Sequence, residues 1–167
     1  MPKSGFTLIE LIVTISIIAI LSVIGVTIYS GVQKTARDSR RIQEVQSIIK
    51  AMESHYLSSG GTCESAGTST SPTYCPLQNN WFASAGVSGV PKDPKESLTP
   101  YCIAVDNTAM PSNATTSTWA TAGSCASPYV AANVNIPANS SLPFAYFKVC
   151  TLKEGDGQVF CLGSSQN

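Results

Sequence analysis

From Phe6 to about Tyr29 the chain is apolar, with no Pro, Lys or Arg and a single charge, Glu10. A run of this length can cross a bilayer as a helix. A carboxylate inside it is costly, since estimates for a charge at the bilayer centre begin at roughly 2.5–3.5 kcal/mol. The default reading of such a residue is functional, with a partner to be found. The plain alternative is an acid that snorkels to the cytoplasmic interface, only one turn from the helix start.

A secretory signal has a basic start, an apolar core and a small-residue cleavage site after the core. Here the order differs. Lys3, Ser4 and Gly5 precede the core, so a cut after Gly5 removes only the polar leader and leaves the apolar helix on the mature chain. The run Lys3-Ser4-Gly5-Phe6-Thr7-Leu8-Ile9-Glu10, continuing into Leu11-Ile12-Val13, resembles the class III leader of type IV pilins and pseudopilins. The resemblance implies cleavage between Gly5 and Phe6 by a membrane prepilin peptidase, with N-methylation of the Phe6 amine by the same enzyme. It also implies that Glu10 pairs with the Phe6 ammonium of a neighbouring subunit during assembly. The physics agrees, because juxtaposing two charges in lipid relieves the cost of each.

At 167 residues, the chain reads as one soluble domain plus a membrane helix. Net charge is zero and charged residues make up only 12%, so DNA or RNA binding is not indicated. Six cysteines, Cys63, Cys75, Cys102, Cys125, Cys150 and Cys161, all follow the apolar run. An even count with no C-x-x-C pair points to disulfides rather than a zinc ribbon or a redox site, and to a domain outside the cytoplasm. Against that topology, Lys34, Arg37, Arg40 and Arg41 follow the helix, where the positive-inside rule disfavours them.

Helical pattern continues past Tyr29. Val32, Ala36, Ile42, Val45, Ile48/Ile49, Met52 and Tyr56 recur at mostly three- and four-residue steps, opposite Gln33, Lys34, Arg37, Arg40, Gln43 and Lys50. One helix of roughly 52 residues, about 78 Å long, is expected from Phe6 to about Leu57. Its second half needs a partner for the apolar stripe. Ser58-Ser59-Gly60-Gly61 reads as its stop. The division expected is leader 1–5, membrane and assembly half 6–29, amphipathic half 30–57 and a disulfide-containing β domain 58–167. No Pro interrupts residues 6–71, which departs from the many type IV pilins that carry one in the membrane half.

Residues 62–75 read as a Ser/Thr/Gly loop, and Leu77 to Ala85 as a short helical turn. Val90-Pro91-Lys92-Asp93-Pro94, leading to a strand over Tyr101 to Val105, resembles an element of type II secretion major pseudopilins. Physically it is a proline-fixed turn feeding a strand. Ser112 to Ser124 is a polar loop. Phe144–Leu152 and Gln158–Leu162 read as a hairpin around the turn Glu154-Gly155-Asp156-Gly157. That turn sets Lys153 against Gln158 and Cys150 against Cys161, within disulfide reach for directly opposed residues. Cys63–Cys75 and Cys102–Cys125 then follow by sequence order.

No catalytic set can be assembled. His55, the only histidine, reads as a surface or packing residue, and no phosphate-binding loop is present, so the chain does not power its own assembly. The chain is expected to be no enzyme and to need no cofactor. Asp93, Glu96, Asp106, Glu154 and Asp156 are candidate calcium ligands without EF-hand-like spacing. Asn113 and Asn139 head short sequons. The expected fold is α+β, a long N-terminal helix on a small antiparallel sheet of about three or four strands. The expected role is a structural subunit of a type IV pilus-like filament, with a pseudopilin of a type II secretion or DNA-uptake system as the near alternative. A membrane-anchored extracellular binding domain that never polymerises is the alternative of another class. The resemblance implies a homo-oligomeric filament, prepilin peptidase, an inner-membrane assembly platform and an assembly ATPase as partners. It places the precursor in the cell membrane and the assembled filament in the cell envelope or outside it.

Overall fold

The computed structural model describes residues 5–63, 67–85, 89–95, 100–119, 124–132 and 144–165. Lys3 and Ser4 of the leader, Glu96 and the Asn139 sequon lie outside them. The fold is α+β, with one long apolar N-terminal helix packed at its far end on small antiparallel sheets.

Helix α1 runs Leu8–Ser54, 47 residues. It begins two residues later than the hydrophobic pattern suggests because Thr7 caps it. The Thr7 hydroxyl oxygen accepts from the Glu10 N–H, and the Thr7 N–H donates back to the Glu10 carboxylate. Reciprocal satisfaction of two orphan donors fixes the start there. The helix also ends earlier than expected, at the cap residue His55, since the backbone of Tyr56 and Leu57 is already paired in a strand.

Strands β1 (Tyr56–Leu57), β2 (Gly61–Cys63), β3 (Gly67–Ser69) and β4 (Thr73–Tyr74) form two small antiparallel ribbons, β1 with β4 and β2 with β3. The stretch read as a loop therefore contains paired backbone. Gly60 makes the tight entry: its φ is 73°, and a Cβ there would run into the carbonyl of Ser69. A 3-10 helix spans Asn79–Ala85.

Strands β5 (Cys102–Asp106), β6 (Val130–Ala131), β7 (Tyr146–Leu152) and β8 (Val159–Gly163) make the main sheet, in the order β6-β5-β7-β8. In the β7–β8 hairpin the Lys153 N–H donates to the Gln158 carbonyl at 2.9 Å, and Cys150 lies opposite Cys161. Gly157 closes the turn with φ 66°. Disulfides join Cys150 to Cys161, Cys102 to Cys125 and Cys63 to Cys75.

The main sheet is covered on both faces. Ile103, Phe147 and Val149 pack toward Val45, Ile48 and Met52 of α1, with Tyr74, Tyr101 and Phe144 completing that cluster. On the other face Cys102, Ala104 and Cys150 pack against Ala114, Trp119 and Tyr129. Trp119 is tied down by its indole N–H, which donates to the Pro100 carbonyl at 2.8 Å. Alternating side chains thus serve two layers, as the two-residue period of a strand requires.

Candidate assembly helix and the ion network that anchors it

The first half of α1 touches nothing else in the described chain. Leu8, Ile9, Leu11, Ile12, Ile18, Ile20, Leu21, Val26 and Tyr29 are all exposed. It is the one described helix long and apolar enough to cross a membrane. Its hydroxyls do not spoil that surface. Thr14, Ser16, Ser22, Thr27 and Ser30 each donate to a carbonyl three or four residues back, so their polar atoms are satisfied within the helix.

Gly5 and Phe6 precede the cap, both exposed, with Phe6 85% accessible. Glu10 takes the Thr7 N–H at 2.8 Å and the Thr7 hydroxyl at 2.6 Å, both on Oε2. Glu10 therefore has a partner inside its own helix. The Thr7-x-x-Glu10 spacing is the sequence signature of a capping box, a reading the membrane argument passed over.

The second half is anchored by charge as well as by grease. Buried positions on α1 are Asp38, Arg41, Val45, Ile48 and Met52, a three-four-three-four stripe. The apolar periodicity placed Val32 and Ala36 on this face, but both are exposed. The packed face begins instead with an ion pair. Arg41 is fully buried. Its Nε and Nη2 donate to the two oxygens of Asp93 at 2.6 and 3.0 Å, and its Nη1 donates to Asp38 at 2.8 Å. Planar bidentate pairing of this kind is what guanidinium geometry favours. Asp93 is the acid of the Pro91-Lys92-Asp93-Pro94 turn, so that element docks on the helix.

The hairpin turn closes the other side. The backbone N–H groups of Glu154 and Gly155 donate to the Asp38 carboxylate at 2.7 and 2.8 Å. A Cβ at position 155 would sit 3.0 Å from Asp38 Oδ2, so any larger residue would push that carboxylate by a few tenths of an ångström. Glu154 accepts from Arg37 at 2.6 Å and from Lys95 at 2.7 Å. Burial pushes the Glu154 carboxyl up, but the hydrogen bonds from Lys95 and Arg37, with the Arg41 charge, outweigh it and hold the pKa down at about 2. Asp38 behaves alike: burial raises it, while the Glu154 and Gly155 N–H groups and Arg41 bring it below the usual range. Three cations and three carboxylates thus meet where helix, turn and hairpin join.

Arg40 pairs with Glu44 at 2.7 Å, and Glu44 accepts the Tyr101 hydroxyl. Burial, then Glu44, pushes the Tyr101 phenol well up. Of the arginines that run against the positive-inside expectation, Arg37 and Arg41 are ion-paired by this domain, and Arg40 by Glu44 of the same helix.

The described acids weighed as calcium ligands are dispersed. Asp93 and Glu154 are held as above. Asp106 accepts from the N–H groups of Thr108 and Ala109, and Asp156 from Lys153. Among the described residues no group of three or more His, Cys, Asp or Glu gathers to hold a metal. Asn113 accepts from the Lys148 ammonium at 2.9 Å. His55 stacks on Trp81 with ring centroids 3.8 Å apart.

No curated protein and no solved structure significantly matches the chain. A family match covers residues 1–26, the leader and most of the apolar run, under the description prokaryotic N-terminal methylation motif. With the exposed helix that follows it, this places at the head of the chain the class III prepilin leader of type IV pilins and pseudopilins.

Proposed function

We propose that the chain is the structural subunit of a type IV pilus-like filament. It is made as a membrane-anchored precursor, cut between Gly5 and Phe6, methylated on the Phe6 amine and polymerised through the first half of α1. The observation that carries this reading is the all-round exposure of that half in a helix whose other half is packed. A surface so apolar needs lipid before assembly and the equivalent helices of other subunits after it. Both short bonds to Glu10 fall on Oε2, which leaves Oε1 for the Phe6 ammonium of a neighbour. The capping box uses only Thr7 and Glu10, so it survives cleavage after Gly5.

Glu10→Ala tests the reading. Breaking one member of a buried ion pair costs about 3–5 kcal/mol, enough to stop polymerisation at a factor of ten per about 1.4 kcal/mol. The variant is expected to accumulate as a folded, membrane-embedded monomer. Normal filament yield in a strain lacking the native protein would remove the pairing mechanism. Intact mass should show a mature chain beginning at Phe6 with one added methyl.

The Pro91–Pro94 turn, docked on Arg41 through Asp93, favours a second reading. In it, the same subunit builds a pseudopilus of a type II secretion or DNA-uptake system. Immunogold labelling at the cell surface or within the envelope separates the two.

A further inference from the structure

On the face of the main sheet turned away from α1, three cysteines stand in a row across three strands. Cys102 of β5 lies opposite Cys150 of β7, and Cys150 lies opposite Cys161 of β8. The bonds do not follow the whole row. Cys150 is joined to Cys161, while Cys102 is joined to Cys125, which precedes β6. Cys102 and Cys150 are therefore neighbours that belong to different disulfides, within one buried cluster. Both are fully buried, whereas Cys125 and Cys161 are half-buried at the margin of that cluster. Directly opposed residues have Cβ atoms about 4.5–5.5 Å apart, so a thiolate on either inner cysteine faces the bridge of the other.

The ladder decides which pairing is the resting one. The Lys153 N–H donates to the Gln158 carbonyl, and hydrogen-bonded and open pairs alternate from there. Cys150 and Cys161 fall on an open pair, with Cα atoms 4.1 Å apart. The Cys150 backbone therefore points to β5, and Cys150 with Cys102 falls on a hydrogen-bonded pair, where Cα atoms stand about 5.5 Å apart. A bond from Cys102 to Cys150 is thus within reach but less favoured than the bond from Cys150 to Cys161. A thiolate in this apolar cluster is costly, which slows any exchange. The Tyr129 hydroxyl lies 3.6 Å from Cys150 Sγ and can turn to donate to a thiolate there.

We propose that these four cysteines form an intramolecular thiol–disulfide exchange site, entered from outside by a dithiol at Cys125 or Cys161. A dithiol thiolate attacks Cys125 Sγ, and Cys102 leaves as a thiolate. The second thiol of the reagent closes on the first, which releases Cys125 as a thiol and leaves the reagent as a disulfide. Two electrons have passed to the protein. The Cys102 thiolate then attacks Cys150 Sγ. The Cys102–Cys150 bond forms, the Cys150–Cys161 bond breaks, and Cys161 leaves as a thiolate that takes a proton from water. This second step is an exchange with no net oxidation. Entry at Cys161 reaches the same product in the reverse order, since Cys150 then attacks Cys102 and releases Cys125. Either way the two outer cysteines become thiols and the two inner ones hold the bridge. The site lies away from α1 and does not depend on how the exposed half of that helix assembles.

The test uses the unaltered full chain in detergent micelles, without denaturant. Dithiothreitol is raised until chains appear in which one of these two bridges has opened, with N-ethylmaleimide present to cap thiols as they form. Capping is irreversible, so a less favoured pairing accumulates over the seconds to hours that disulfide reshuffling takes. Non-reducing peptide maps are then read on chains carrying two caps with Cys63–Cys75 intact. The expected product has caps on Cys125 and Cys161 and a bond between Cys102 and Cys150. Caps confined to a native pair, Cys102 with Cys125 or Cys150 with Cys161, would overturn the proposal. So would bonds from Cys63 or Cys75 to any of the four, because they would show exchange through the unfolded chain rather than along the row.

Discussion

Residues 8–36 and 38–54 belong to one unbroken helix yet keep opposite company. The first stretch is apolar and leaves its side chains uncovered. The second turns Asp38 and Arg41 inward and covers them completely or nearly so. Hydropathy alone would have assigned burial the other way. The chain covers only what it can satisfy by itself. A guanidinium with matched carboxylates can be folded inside, whereas an all-round greasy cylinder exceeds what a small sheet can wrap and is left for lipid or other helices.

Arg41→Ala should break this comparison most sharply. It strands Asp38 and Asp93 against the domain without their cation, at a cost of about 3–5 kcal/mol. Denaturant unfolding followed by tryptophan fluorescence would read the loss. Unchanged stability would mean the apolar stripe alone holds helix to sheet.

Acid should act on the same joint to a smaller extent. Glu154 and Asp38 have folded pKa values below their ordinary ones, so the unfolded chain binds more protons as pH falls. The stabilisation is full above the ordinary Glu value of 4.5 and is lost progressively toward about 2. Melting temperature measured from pH 6 down to pH 2 should fall through that window, and by less in Glu154→Gln. A variant as acid-sensitive as the parent would place the titration elsewhere.

The smallest effect is expected from the exposed half. Ile20→Ala changes a side chain 62% accessible, and the unfolding of the C-terminal domain should stay within about 0.5 kcal/mol of the parent. A larger loss would show that the two halves are energetically coupled after all.

Much of this was legible in the sequence, and the failures are as physical as the successes. Four turn residues between alternating strands fix a hairpin register, so the sequence alone sets Cys150 opposite Cys161. The small strands within 56–74 are not legible, because two- and three-residue ladders are too short to show a period. Arg41 was missed for a different reason. A periodicity count that scores only apolar residues cannot see that 38, 41, 45, 48 and 52 share one face, although the spacing was there to read. Glu10 was read for its charge in lipid, and its ordinary work as a helix cap went unseen.

The reach of the ion network along the chain also bears on when the fold can be completed. Arg37 and Glu154 are 117 residues apart, and Arg41 waits on Asp93, 52 residues on, before Glu154 arrives 113 residues on. At synthesis rates of about 5–20 residues per second, the gap from Arg37 to Glu154 is on the order of 6–23 s. Through that interval the Arg37 guanidinium lacks Glu154, and the ion network is complete only when the β7–β8 hairpin emerges. A chain cut before Glu154 would therefore leave Arg37 and Lys95 without their shared carboxylate, and that hairpin turn is written into the helix as a condition for closing the network.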